Sequence, residues 1–502
     1  MTSLPNLILM FAVCGALFTW FTYRAGKVNN LLWSFLQHFT GVWFVFSGLV
    51  KAVDPIGTAY KMEDYFVAFQ DTFAGLNNVF SGLAPLFPWL AKSSTGFSIT
   101  MVVFEIVLGI MLITGFARKF TAWLFFLIVF FFTVLTGFTF LTGFVPTDAN
   151  FFDFAKWGPY IKTQMRVTDC GCFGDFIKLD PRISFYKDLF LMVPALMFLF
   201  RSKWLHQIFT AQTRQIIVGV STLATILFCF QNTYWNLPVV DFRPFAVGNN
   251  IRERKALEEE ARGNIEIIGW VFENPTTGEV VKEMEPDYKT AASKHPKEQG
   301  WKVKEQVKTE PFIEKDGKRV IITESKVSDF AVEDAENGEV TEDILNEKGY
   351  SMMIVAYKLY GAMETTTVGY VDSVYTTDTL RINPDSVVVT RRASGAETKT
   401  REVSVFNPED AYAEMYVNQI NPLADAAAKA GWKVYAITTY GDSEAADGFK
   451  KAINATYPFY RADDKLLKTI IRANPGVVVL KDGQVLGMYH HKHLPTFEEI
   501  KL

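Results

Sequence analysis

Six apolar runs, at about Leu4–Tyr23, Leu31–Val50, Phe97–Phe116, Phe120–Phe144, Phe185–Phe200 and Ile216–Tyr234, constrain this chain more than any other feature. Each approaches the length of about 20 residues that a helix needs to cross a bilayer. They predict an α-helical membrane bundle of six transmembrane helices over residues 1–238. The first run lacks a basic leading segment and a small-residue cleavage site, so it reads as a helix and not as a signal peptide. Of 502 residues, those after 238 carry most of the Lys, Glu and Asp and read as soluble, while a net charge of −4 gives no reason to expect nucleic acid as a partner.

Orientation follows from the short connections. Arg24 with Lys27, Arg118 with Lys119, and Arg201 with Lys203 and Arg214 stand without an acidic neighbour, which assigns those connections to the cytoplasm. Residues 51–96 and 145–184 mix charges of both signs and would lie outside with both chain ends. The expected arrangement is therefore an integral membrane protein with its soluble part on the side away from the cytoplasm and the bilayer as an obligatory partner.

Two of the four cysteines, Cys170 and Cys172, are one residue apart in one of those outer connections, flanked by Asp169 and Asp175. Two thiols this close can form a small, strained and easily reduced bridge, which points to thiol chemistry on an oxidising side of the membrane. A glycine turn holding a reduced pair is the plainer alternative. The two aspartates could accept protons or, with both sulfurs, bind a metal. Zinc sites use longer ligand spacings and the loop has no histidine, so no metal is assigned. Cys14 and Cys229 lie inside apolar runs, where small apolar filling is the simpler reading and an electron relay the alternative.

Glu105 sits inside the third run, where an acid is costly enough to be functional by default. Lys51, at the end of the second run, is its expected partner. A bundling ion pair and a role in proton or quinone handling explain such a pair equally well.

The run Ser47-Gly48-Leu49-Val50-Lys51 and the segment Glu105-Ile106-Val107-Leu108-Gly109 resemble the DoxX/MauE superfamily of redox-associated membrane proteins. The run from Cys170 to Asp175, with Leu179 and Phe185-Tyr186-Lys187-Asp188, is similar to its MauE-type members, especially fusions of the kind found in Bacteroidota. The resemblance implies a bacterial inner membrane with the soluble part in the periplasm, and a redox setting with a quinone as a candidate electron acceptor and no cofactor certain.

Beyond the bundle, residues 239–326 read as an exit linker, a charged helix over 252–262 and a small β-rich segment at Ile265–Phe272, Trp301–Val307 and Val320–Ser325. Residues 327–502 alternate strand and helix patterns: strands at Ser351–Leu359, Trp432–Thr438 and Pro458–Arg461, helices at Pro408–Gly431 and Ser443–Ile453. The close from Leu467 to Val485 resembles a thioredoxin-like domain, which implies a cis Pro475. A Thr/Val-rich insertion at about 361–406 predicts one or two hairpins. The fold class expected is thus a membrane bundle plus a soluble α/β thioredoxin-like domain with β-rich insertions. No cysteine follows residue 229, so this domain cannot carry dithiol chemistry alone. His491 and His493 would share a strand face and could bind a metal, although polar edge residues are the preferred reading.

Two functions remain in view. One is a membrane thiol–disulfide or quinone-linked oxidoreductase, exchanging electrons with a periplasmic thioredoxin-like partner or an exported substrate protein. The other is a non-catalytic accessory subunit of a larger envelope or protein-export complex.

Overall fold

The computed structural model describes residues 3–76, 78–147, 149–158, 160–167, 171–383 and 386–500. The chain divides into two compact units, one of residues 1–246 and 257–323, the other of 247–256 and 324–502.

The first unit begins with eight helices: α1 (Leu4–Arg24), α2 (Leu31–Val53), α3 (Pro55–Ala74), α4 (Leu86–Lys92), α5 (Ser94–Thr114), α6 (Arg118–Thr142), α7 (Pro181–Phe200) and α8 (Ala211–Phe230). Among the described residues, α1, α5, α6, α7 and α8 continued to Trp235 are each long and apolar enough to cross a membrane. The pair α2 and α3 meets the same test as one element bent by 96°. The bend has a local cause. Pro55 cannot donate to the end of α2, and the Asp54 carboxylate accepts from the Gly57 N–H at 2.9 Å, which caps a new helix. On α6 the exposed Phe120, Trp123, Leu127, Phe130 and Val134 recur at helical spacing, an apolar stripe suited to lipid.

Glycines set how closely the bundle packs. A Cβ on Gly109 of α5 would lie 2.7 Å from the Gly41 carbonyl of α2, and one on Gly48 would lie 2.5 Å from Ile106. Small residues at these points let the two backbones approach, as membrane helices do where no hydrophobic driving force separates lipid from protein. At one end, buried Gln37 donates to the Leu112 carbonyl at 2.7 Å and accepts from the His206 N–H at 3.0 Å, joining α2, α5 and the α7–α8 connection. His38 stands against Thr19 and Thr22 and stacks on His206, with ring centroids 4.2 Å apart.

After the bundle come α9 (Ile251–Gly263), a sheet in the order β2 (Glu279–Glu283), β1 (Ile267–Asn274), β3 (Lys302–Lys308), the helix α10 (Tyr288–Lys294), and a hairpin of β4 (Phe312–Lys315) and β5 (Lys318–Ile321). The charged helix and the first two strands fall close to their predicted positions. The third strand pattern is placed earlier, because Asp316 and Gly317 both adopt positive φ and make the turn before Lys318.

The second unit is built on β6 (Glu333–Asp334), β7 (Gly338–Glu339), α11 (Thr341–Leu345), β8 (Tyr350–Ala356), β9 (Gly361–Asn383), β10 (Ser386–Pro408), α12 (Asp410–Met415), α13 (Asn421–Lys429), β11 (Lys433–Thr439), α14 (Ser443–Ala452), β12 (Phe459–Ala462), α15 (Asp464–Ile470), β13 (Gly476–Lys481), β14 (Gln484–His490) and α16 (Phe497–Ile500). Its sheet runs β14-β13-β8-β11-β12-β6-β7, with β8, β11 and β12 parallel and β13 antiparallel to β8. From Met352 to Ala356 the central strand β8 is an unbroken apolar run because both its faces are buried. Met352, Ile354 and Ala356 join Tyr416, Leu423 and Phe449 in one apolar cluster. The Asn474–Pro475 peptide is cis.

The insertion is one hairpin. β9 and β10 pair from Gly361↔Pro408 to Asn383↔Ser386, 23 residues to a strand, or roughly 75 Å at about 3.3 Å per residue. The expectation that His491 and His493 share a strand face is corrected, since β14 ends at His490 and His491–His493 form a 3-10 turn in which alternation no longer holds.

Candidate functional site

A cavity of about 70 Å³ lies within the bundle, walled by α2, α3, α5, α6, α7 and the loop that carries Gly171 and Cys172. Its apolar surface comes from Trp43, Phe44, Phe132, Leu135 and Leu191. Its polar surface holds two ion pairs.

Lys51 and Glu105 form the first, with Nζ 2.7 Å from Oε2 and side chains only 7% and 3% exposed. The glycine contacts between α2 and α5 bring these residues face to face. Lys51 also donates to Ser47 Oγ at 3.3 Å and sits 5.3 Å from the centre of the Phe132 ring. Ser47 in turn donates to the Cys172 carbonyl at 2.9 Å. The cysteine loop is thus tied through one serine to the buried pair.

The second pair is Lys187 with Asp188, near the start of α7, also buried. Thr136 of α6 donates to Asp188 Oδ2 at 3.0 Å. Lys61 of α3 brings a third ammonium group to the pocket and lies beside Gly171, where a Cβ would come within 3.2 Å of its side chain. All three lysines are set against acids, Lys51 against Glu105, Lys187 against Asp188 and Lys61 against Asp64 at 3.9 Å, so the polar wall of the pocket carries both signs of charge.

Glycines shape the turn from Gly171 to Gly174. Gly171 and Gly174 both adopt the left-handed conformation, with φ of 61° and 53°, and the Gly174 N–H donates to the Gly171 carbonyl at 3.1 Å. Phe173, fully buried, packs near Trp43 and Phe46 and anchors the turn.

Of the residues singled out from sequence, Lys51, Glu105 and Cys172 line one pocket. Asp175 pairs with Lys178 at 3.8 Å on a more exposed part of the loop and does not line it. Cys170 and Asp169 lie outside the described residues. Cys229 is buried against Ala52, Ile99, Val102 and Ile106, and Cys14 is half-buried in α1; neither lines the pocket. Among the described residues no group of three or more His, Cys, Asp or Glu could hold a metal ion.

Sequence reasoning passed over Lys187, Asp188 and Thr136 as site residues. The signal was there for two of them: adjacent opposite charges inside an apolar run demand partners as much as Glu105 does. Thr136 gave none, because a threonine in such a run is ordinary.

Comparison with family models, curated proteins and solved structures finds no match for this chain.

Proposed function

We propose that this chain is an inner-membrane redox protein of the DoxX/MauE type, in which Cys170 and Cys172 exchange electrons with a periplasmic thiol protein. The observation that carries the reading is the seating of the Cys172 loop, one serine hydroxyl away from a buried Lys51–Glu105 pair on the wall of an internal pocket. Oxidation of the dithiol forms one S–S bond and releases two electrons and two protons. Glu105 and Asp188 are the buried carboxylates on the pocket and would take up or pass on the protons.

The pocket suits a quinone. Its aromatic and aliphatic walls match a flat apolar ring, and Lys51 and Lys187 offer N–H donors to polar ring atoms. A bound quinone would supply a two-electron, two-proton acceptor that balances dithiol oxidation.

The second unit reads as a thioredoxin-like domain without its cysteines. The order β11-β8-β13-β14, with the first pair parallel and the other pairings antiparallel, supports this reading. Its role would be to bind a partner, with the soluble part in the periplasm. The long exposed hairpin after β8 favours a second reading, in which the chain is a non-catalytic accessory subunit of an envelope or export complex and the cysteine pair is structural.

Redox titration of the full-length protein in membranes, with mass-shift labelling of thiols, separates the two. Cys170 and Cys172 should become blocked together in a single reversible two-electron step, and a Cys172→Ser chain should trap mixed disulfides through Cys170. Thiols that stay reduced at every physiological potential would remove the redox reading.

A further inference from the structure

Between Asp71 and Lys92 the sequence contains no charged residue. Within that stretch residues Val79–Leu83 form a 3-10 turn and Leu86–Lys92 the helix α4, and neither buries a single residue. Val79, Phe80, Leu83, Leu86 and Trp89 are 93%, 60%, 43%, 46% and 63% exposed. One side of the segment is held by protein: Phe87 packs against Phe69 and Phe73 of α3, with ring centroids 5.7 and 5.3 Å apart. The other side is an exposed apolar face among the described residues.

We propose that residues 78–92 lie in the interfacial layer of the bilayer that the bundle crosses, with phospholipid as the partner of this face. Three observations select lipid. The segment joins α3 directly to α5, so the face continues the lipid-exposed surface of the spans, and Phe97, just inside α5, is 39% exposed. Its backbone is satisfied locally, as lipid contact requires: the Phe80 N–H donates to Asn78 Oδ1, and those of Ser81, Ala84, Phe87 and Ser93 donate to the carbonyls of Asn78, Ser81, Ala84 and Trp89. Finally, the two elements are too short to span, while an exposed Trp followed by Lys92 is the pattern of a membrane–water boundary.

The consequence reaches the pocket. Phe69 and Phe73 belong to the same helix that gives the pocket Thr58, Lys61 and Tyr65, so lipid would support one wall of the site through this segment. The inference needs the bundle to be in a bilayer and does not depend on the redox reading.

The test is photo-crosslinking in the full-length chain, reconstituted in phosphatidylcholine vesicles. Single replacements Leu86→p-benzoylphenylalanine and Trp89→p-benzoylphenylalanine are compared with Leu127→p-benzoylphenylalanine on the lipid stripe of α6 and Val371→p-benzoylphenylalanine on the β9–β10 hairpin. Phosphatidylcholine adducts are expected at 86 and 89 at a yield comparable to that at 127, with background yield at 371. Adducts at 127 without adducts at 86 and 89 would overturn the proposal, and so would crosslinks from 86 or 89 to a second copy of the chain.

Discussion

The interior of the bundle holds two ion pairs and a row of threonines, whereas the central strands β8, β11 and β13 of the soluble unit bury no charged side chain. The difference follows from the solvent outside. A globular unit in water gains stability by removing apolar surface, and any charge can be left at its rim. In a bilayer the exterior is already apolar, so burying leucine against leucine gains little and polar contacts become the specific ones. Charges retained in the bundle therefore mark the site, while in the second unit the buried Arg472 is satisfied locally by the Lys468 carbonyl and the central strands leave their charges at the rim.

The largest effects expected should break or sharpen this contrast. Glu105→Gln or Lys51→Met leaves one charge unpaired in the bundle, which typically costs about 3–5 kcal/mol, whereas the double change should recover most of it. Denaturation in detergent together with assembly in membranes would measure this. If the double mutant assembles but is inactive, the pair is functional; if the singles assemble normally, the bundle does not isolate its charges as described.

In the second unit the comparable loss is apolar. Ile354→Ala, at a fully buried position of β8, should cost about 2–5 kcal/mol in chemical unfolding of the full chain. A cost well below that range would mean the sheet core is not closely packed. Thr136→Val removes a hydrogen bond to the Asp188 carboxylate and should cost about 1.5–3 kcal/mol, while the same change at an exposed strand threonine such as Thr377 should not be felt.

Acid should weaken the second unit through His490. Burial, reinforced by His491, Lys492 and His493, lowers its pKa to about 4 from an ordinary value near 6.5, and its Nδ1 accepts the Lys492 N–H at 3.1 Å. The unfolded chain therefore takes up the proton first. The contribution of His490 to stability is complete above pH 6.5 and declines as pH falls towards 4, by at most about 1.4 kcal/mol per pH unit. His491 shifts in the same direction, so His490→Gln should flatten the slope without abolishing it. An unchanged slope would locate the acid sensitivity elsewhere. The smallest effect belongs to the hairpin: Val371→Ser, at a position 70% exposed, should change stability by less than about 0.5 kcal/mol, and a larger change would show that the strand is covered.

Much of this was legible in advance. The apolar runs mark the membrane-crossing helices because a bilayer imposes a length, and that constraint is read residue by residue. The pairing of Lys51 with Glu105 was legible for a related reason, since a lone charge at depth requires a partner and few candidates exist. The hairpin could be anticipated from its β-branched composition, but not that it would be single. The bend at Asp54–Pro55 has local signals, an N-cap aspartate and a proline, but the 96° turn that brings α3 over the pocket depends on what α3 packs against.

By itself, then, the sequence determined the local quantities: which segments are apolar enough for lipid, where helices start and stop, and that the soluble unit contains no thiol. Only the tertiary structure decided which side chains share a space. Lys187 and Asp188 are far in sequence from Lys51 and Glu105, and they meet in one pocket because glycines at 41, 48 and 109 let α2 and α5 close up while α6 and α7 pack alongside. Contact between distant residues is fixed by shape and packing of whole helices, and no local pattern in the chain encodes it.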